Sequence, residues 1–420
     1  MDGYWSRSWA AIAGSFTLSL IVAVAASGQE EKRQPTKGKP PTDKASSGKA
    51  SAGKAAPGKG DAERPPTTPP ASAEPAPAAD KPAAAEFAKV YEEWKTLLKD
   101  LRRLSVQYQT SAAAERENIL KQRNEALARG NDTLAQLQAA GLKAYEESPN
   151  ENPELTRFLA KLATDGIDRD EYESAADISE LLIKNESGEK QVYDSAALAA
   201  FALSDFEKAE TYHKMAEEAG VASPLWTDWN ANPAEYKELW EKELAIRAEE
   251  EKKNDLPRVK LETTKGDIVL ELFEDQAPDT VGNFVSLVEK GFYDGTPFHR
   301  VLKNFMAQGG DPKGDGTGGP GYQIFCECYK EDYRRHFRGS LSMAHSGRDT
   351  GGSQFFLTFR PTSHLNGRHT CFGRIIEGLD VLARLQRIDP EAMSTAQPDK
   401  IVKAEVLRKR DHGYAPKKVE

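Results

Sequence analysis

Arg300 stands out among the 420 residues of this chain because of what surrounds it. The stretch Phe298-His299-Arg300-Val301-Leu302-Lys303-Asn304-Phe305-Met306-Ala307-Gln308-Gly309-Gly310-Asp311 interleaves apolar and polar residues around one Arg and one Gln, with a Gly-Gly turn near its end. Side chains alternate along an extended strand, so Phe298, Arg300 and Leu302 are expected on one face and His299, Val301 and Lys303 on the other. Phe305 and Met306 then bring apolar bulk next to Gln308. A guanidinium is permanently charged and carries a rigid fork of donors. Beside an apolar pocket and an amide, it suits an apolar ligand with a polar tip. The His residues form no triad with any Ser at a recognisable spacing, so nucleophilic catalysis of that kind is not indicated.

Three later blocks carry residues of the same kinds. Ser340-Leu341-Ser342-Met343-Ala344-His345 comes first, then Gly351-Gly352-Ser353-Gln354-Phe355-Phe356-Leu357-Thr358, then His364-Leu365-Asn366-Gly367-Arg368-His369-Thr370-Cys371-Phe372-Gly373. In this order and at these spacings the four blocks resemble the cyclophilin family of peptidyl-prolyl isomerases, over about Pro257 to Arg410. The resemblance implies that Arg300, Gln308 and Phe305 do the catalytic work. It implies a pocket for a proline ring built from Phe305, Met306, Phe356 and Leu365. Gln308 and Gln354 match the amides that hold the peptide backbone and orient the Arg. Ala344 and His345 match residues flanking the peptide, where the family more often has Asn in place of His345. His369 matches a wall of the pocket. His364 departs from the Trp that many members carry, so weak binding of the cyclic peptide cyclosporin is expected, with isomerase activity retained. No metal or cofactor is implied, and the substrates are proline-containing peptides and unfolded proteins.

The chemistry this requires is limited. Amide resonance sets a rotation barrier of roughly 18–20 kcal/mol. Before Pro, cis and trans differ by only about 0.5–1 kcal/mol, so the problem is kinetic. In the twisted state the ring nitrogen becomes pyramidal and regains a lone pair. A fixed donor aimed at that nitrogen binds the twisted state better than either planar state, which is the condition for catalysis. Arg300 is the expected donor. Lowering the barrier by about 6–7 kcal/mol would accelerate rotation on the order of 10⁵-fold.

The rest of the chain must position this site. Its length fits two or more domains with linkers, and a hydrophobic content of 38% is low enough that part is expected to be unstructured. The net charge of −9 is uneven: residues 1–29 carry 0, 30–82 carry +3, 83–256 carry −14 and 257–420 carry +2. An acidic middle argues against nucleic-acid binding. Met1 to about Gln29 has the form of an export signal, with Arg7, an uncharged apolar run from Ala10 to Ala26, and small residues at Ala23, Ala25, Ala26, Ser27 and Gly28. Cleavage predicts a periplasmic or secreted protein. An uncleaved segment would instead anchor it, and membrane contact is expected only then. Residues 30–82, rich in Lys, Pro, Ala, Gly and Ser, read as a disordered tether.

A helical domain is expected over 83–254. Phe87, Val90, Tyr91, Trp94, Leu97, Leu98, Leu101 and Leu104 recur at helical steps. A second helical stretch, Ala112 to Glu147, is expected to break near Gly130-Asn131-Asp132, and Asn152-Pro153 reads as a helix cap. Tyr172-Glu173-Ser174-Ala175 aligns with Phe206-Glu207-Lys208-Ala209 at 34 residues, the period of tetratricopeptide helix pairs. Tyr193, Ala202, Phe206 and Ala209 resemble that family's positions, although Asp168 stands where a small residue is expected. The region around 153–220 is therefore either tetratricopeptide-like, with a face for a protein partner, or an ordinary helical bundle. Trp226, Trp229, Tyr236 and Trp240 are expected to pack the last helices together. Glu249, Glu250 and Glu251, before Lys252 and Lys253, read as a solvated helix face.

Past Asp255-Leu256-Pro257, alternating segments predict strands at 259–264, 267–272, 339–344, 353–359, 370–375 and 401–407, with helices at 277–290 and 379–387. The resemblance makes this a closed eight-stranded antiparallel β-barrel with two helices, spanning 257–410 and followed by a tail, 411–420. The three cysteines cannot form a complete disulfide framework, and Cys-x-Cys alone lacks zinc spacing. Cys371 reads as core, while a strained bridge or a redox role stays open for Cys326 and Cys328. Two functions fit the whole: an exported prolyl isomerase that assists folding, or a non-catalytic module binding proline peptides and coupled to a helical docking domain.

Overall fold

A computed structural model of the chain describes residues 81–392 and 396–419, so the expected export segment and the expected tether through Asp80 lie outside it. Among the described residues eight helices come first: α1 Pro82–Thr110, α2 Ala113–Glu147, α3 Pro153–Asp168, α4 Tyr172–Lys184, α5 Val192–Ala202, α6 Phe206–Ala219, the single turn α7 Leu225–Asp228 and α8 Pro233–Lys253. The Asn152 side chain accepts from the N–H groups of Glu154 and Leu155, with Pro153 in the first turn, so the expected cap is present. The expected break in α2 is not: the helix runs unbroken through Gly130. One Gly costs a helix only about 1 kcal/mol. Gly130 is buried, and Leu127, Leu134 and Leu137 on either side of it are buried in one cluster with the apolar stripe of α1, Phe87 to Leu104.

The 34-residue spacing returns as turn geometry. Asp170 and Ser204, at φ +63° and +66°, close α3 and α5 in the left-handed region. The following residues repeat one bond, Glu171 N–H to the Gly166 carbonyl and Asp205 N–H to the Ala200 carbonyl. Glu186 and Gly220 do the same after α4 and α6. Tyr172 and Phe206 begin α4 and α6, and both are buried.

The second half is one curled, eight-stranded antiparallel sheet in the order β3-β4-β6-β5-β7-β2-β1-β8. Its strands are β1 Arg258–Thr263, β2 Gly266–Leu272, β3 Arg300–Leu302, β4 Met306–Gly309, β5 Ser340–Met343, β6 Phe355–Thr358, β7 Cys371–Glu377 and β8 Ile401–Arg408. Helix α9, Pro278–Glu289, packs inside with Val281, Phe284 and Val285 fully buried, and a short α10, Val381–Arg384, follows β7. Where a closed barrel is expected, β3 and β8 end the sheet without a shared ladder. Single bridges, Pro297 to Lys400 and Val301 to Ile388, link the segments beside them. The last residues lie on the domain rather than trailing from it. Tyr414 donates to Glu274 at 2.9 Å, and the Val419 N–H donates to the Gln323 carbonyl at 2.9 Å.

The helices and the sheet share one core. Tyr172, Phe201, Trp229 and Tyr236 belong to the same buried cluster as Val259, Leu270, Phe284 and Phe355. Trp240 and Tyr236 both lean on Phe337, so the expected aromatic set joins helix to sheet as well as helix to helix. The solvated reading of Glu250 fails for this reason. With Glu243 it turns inward from α8 onto Arg334, whose side chain is 1% exposed. Arg334 donates to both Glu243 oxygens, at 3.0 and 2.6 Å, and to Glu250, while lying over the Phe273 ring. Glu250 also takes Arg374 at 3.1 Å, and Arg374 reaches Glu271 at 2.6 Å. Burial alone would raise the Glu243 carboxyl, but Arg334 and Arg247 hold it below the usual range. Removing one member of such a set leaves charge buried and unpaired. Arg334→Ala is therefore expected to cost about 3–5 kcal/mol of unfolding free energy in urea titration; a loss under about 1 kcal/mol would contradict the network's role.

Candidate active site

The groove is built mainly from β3, β4 and β6. The antiparallel β3–β4 register sets Arg300 directly opposite Gln308, and β4–β6 sets Gln308 opposite Phe356. Three residues expected together in one site thus stand side by side across three strands. One face assignment needs correction: Phe298 does not share a face with Arg300. The strand begins only at Arg300. Phe298 before it bonds through its N–H to the Asp399 carbonyl and is buried in the core with Val301, against Gly309. His299 is also buried, and burial lowers its pKa.

The cavity measures about 990 Å³ and is lined by Arg300, Phe305, Met306, Gln308, Ala344, His345, Gln354, Phe356, Leu365 and His369. Ten of the eleven expected residues therefore meet in one place. The eleventh, His364, stands at the rim with its ring 5.5 Å from Phe305. Met306, Phe356 and Leu365 form a small buried cluster of their own, with Leu302, Phe305 and Ala344 packed against it. Among the described residues Arg300 has no carboxylate in ion-pair range, so its charge faces the groove uncompensated.

The two amides are linked to each other. The Gln308 amide donates to Gln354 at 2.9 Å, and Gln354 donates to the Gly316 and Gly318 carbonyls at 2.9 and 2.8 Å. Gln308 therefore faces Arg300 through strand register and is itself held by Gln354. The glycine-rich loop is pinned from its other side by Asp311, which accepts from Lys313 and Gly316 N–H groups at 2.8 and 2.6 Å. Burial alone would raise the Asp311 carboxyl, but backbone donors from Lys313, Gly318, Gly316 and Gly314 bring it below the usual range. Gly318 has to be glycine: a Cβ there would sit 1.9 Å from the Asp311 carboxylate.

On the far wall His345 and His369 stack at 4.1 Å. His345 Nδ1 accepts from the Gly347 N–H, so its proton sits on Nε2 and is given to the Arg368 carbonyl at 2.7 Å. His369 donates through Nδ1 to the Met343 carbonyl at 3.0 Å, and burial lowers its pKa. These bonds settle both tautomers. Cys326 and Cys328, near this wall, are free thiols. The Cys326 thiol is drawn down to about 6, first by a hydrogen bond with Cys328, and Cys328 is pushed up in return.

Sequence reasoning missed His336. It lies behind Phe356, ring on ring at 6.0 Å, with Nδ1 3.0 Å from Asn366 and Nε2 2.9 Å from the Ser342 hydroxyl. Thirty residues separate it from Asn366, and no local pattern marks it.

The matches to known proteins fall on this half. The family model for cyclophilin type peptidyl-prolyl cis-trans isomerases matches residues 258–406. A peptidyl-prolyl cis-trans isomerase of Helicobacter pylori is 56% identical over 131 residues, covering 31% of this chain and 80% of its own length. Peptidyl-prolyl cis-trans isomerase B of Bacillus subtilis is 52% identical over 122 residues, 29% of this chain and 85% of its own. A cyclophilin type isomerase of Cryptosporidium parvum, solved in the presence of the dipeptide Ala-Pro, is 35% identical with a TM-score of 0.33, covering 36% of this chain and 98% of its own. The chain belongs to the cyclophilin family and is a peptidyl-prolyl cis-trans isomerase.

The buried His336 makes stability pH-dependent. Burial lowers its pKa to about 4 from the ordinary 6.5. Its neutral form costs nothing above pH 6.5. Between pH 6.5 and 4 the unfolded chain binds a proton that the folded one refuses, a loss of roughly 3 kcal/mol. Below pH 4 both states are protonated and the loss stops growing. His336→Gln should remove this part of the acid sensitivity. Identical pH–stability curves for the two proteins would refute the assignment.

Proposed function

We propose that this isomerase works through Arg300 on proline-containing segments of unfolded proteins, and that it does so outside the cytoplasm. The proline ring sits on Phe305, Met306, Phe356 and Leu365. Gln308 and Gln354 hold the flanking backbone, with Ala344, His345, His364 and His369 as walls and rim. As the X–Pro bond twists, the ring nitrogen gains a lone pair and Arg300 donates to it. The donor is already in place, so nothing reorganises at the moment of rotation. The observation that carries this reading is the position of Arg300: opposite Gln308, over the apolar cluster, and with no carboxylate partner among the described residues. In a proline-limited refolding assay, Arg300→Ala is expected to lose about 10²–10³-fold of the catalysed rate. Equal rates for the two proteins would eliminate this residue as the donor.

Export rests on the segment 1–29, and the tether 30–82 would let the folded part reach away from its point of release. The mature protein is expected to begin just after the small residues at 23–28, as read by intact mass of protein from the native host. A mass that includes Met1 or the apolar run would favour the anchored form. The 34-residue recurrence of turns supports a tetratricopeptide-like pair at 153–220, whose exposed surface would take a protein partner. The bridge from Pro297 to Lys400 supports closure of the curled sheet into a barrel in this enzyme.

A further inference from the structure

The helices reach the proline pocket. Phe305 is preceded by Asn304, which is buried and held in the left-handed region at φ +56°. The β3–β4 turn, closed by the Phe305 N–H on the Leu302 carbonyl at 3.3 Å, brings the chain to this point, and contacts from outside the hairpin then fix the peptide groups of Asn304. Its N–H donates to the Asp170 carboxylate at 2.7 Å, and Asp170 belongs to the turn between α3 and α4. Its carbonyl accepts from Arg360 at 2.5 Å, and the Arg360 guanidinium lies 4.8 Å over the ring of Trp229, just past α7. Asp170 is 2% exposed and is itself fixed by Arg387 at 2.5 Å and the Tyr172 hydroxyl at 2.8 Å. The turn that packs beside Phe305 has its own tie. Asn230 donates to the Ser363 hydroxyl at 3.0 Å, and Ser363 opens the short 3₁₀ turn that carries His364 and Leu365.

We propose that Asp170 is a positioning residue for the isomerase. Through the Asn304 peptide it sets where Phe305 stands, so the helical region forms part of the apparatus that seats the proline ring. The inference rests on the reading of Phe305 as the floor of that pocket. The contact with the ring is made in planar and twisted states alike, so its loss weakens binding more than turnover.

Full-length Asp170→Ala should raise KM for an X–Pro peptide about tenfold with kcat within about twofold, and should shift the Met306 methyl resonance. Asp170→Asn keeps an acceptor for the Asn304 N–H, so its KM should stay within about threefold of wild type. Asp168→Ala, which removes only the exposed pair with Lys303, should change neither constant. A folded Asp170→Ala protein with unchanged KM overturns the proposal, even if it melts earlier. So does an Asn variant as impaired as the Ala variant, which would assign the effect to the Arg387 pair. Should Asp170→Ala not accumulate folded, Asn230→Ala and Ser363→Ala decide: a raised KM in both supports the proposal and wild-type values in both overturn it. Arg300→Ala run in parallel separates the two readings. Its inactivity beside an unaffected Asp170→Ala leaves the site standing and removes only the role of the helices, whereas its full activity removes the site first.

Discussion

In the role proposed for Arg300, a guanidinium that must remain unpaired is the constraint on which the rest of this protein turns. An Arg beside apolar surface attracts any carboxylate within reach, and a paired Arg would have less to offer a proline nitrogen. The structure meets the constraint by committing its acids elsewhere. Asp311, eleven residues on, faces backbone N–H groups of the glycine-rich loop. Glu243, Glu250 and Glu271 are taken up by Arg334, Arg374 and Arg258 on another part of the sheet. What faces Arg300 is an amide, Gln308, whose own amide is occupied by Gln354.

The same economy explains the walls. His345 and His369 each spend a ring nitrogen on a backbone carbonyl, which fixes the orientation of two stacked rings beside the groove. His336 keeps Phe356 in place from behind, and being fully buried it stays uncharged. A groove whose polar groups are satisfied by the protein can stay rigid while the substrate rotates, and rotation is the whole of the chemistry here.

The helical half is not a separate body on a hinge. Its aromatics share a core with the sheet, and its carboxylates close the valences of arginines that would otherwise be buried and unpaired. An ion pair buried this way adds little net stability over an apolar contact, but it tolerates no other arrangement of its partners. That is a sound way to fix one domain's orientation on another.

Most of the candidate groove was legible in the amino-acid order because its lining residues come in four short blocks, and short blocks on neighbouring strands stay together when the strands pair. Arg300, Gln308 and Phe356 needed only antiparallel register to meet. The apolar stripe of α1 and the cap at Asn152 were equally local, since helical spacing and a side-chain acceptor act within a few residues. Local evidence misled where packing had the last word. Gly130 did not break α2, because Leu127, Leu134 and Leu137 on either side of it are buried in one cluster with the apolar stripe of α1. Phe298 turned into the core, because the strand starts two residues after it. Tertiary structure alone decided that Glu250 points inward, that His336 backs the pocket, and that Asp170 holds Asn304. Each of these joins residues 20 to 134 positions apart. The energy of a buried hydrogen bond or ion pair depends on a partner and on exclusion of water, and neither is written within one segment of chain.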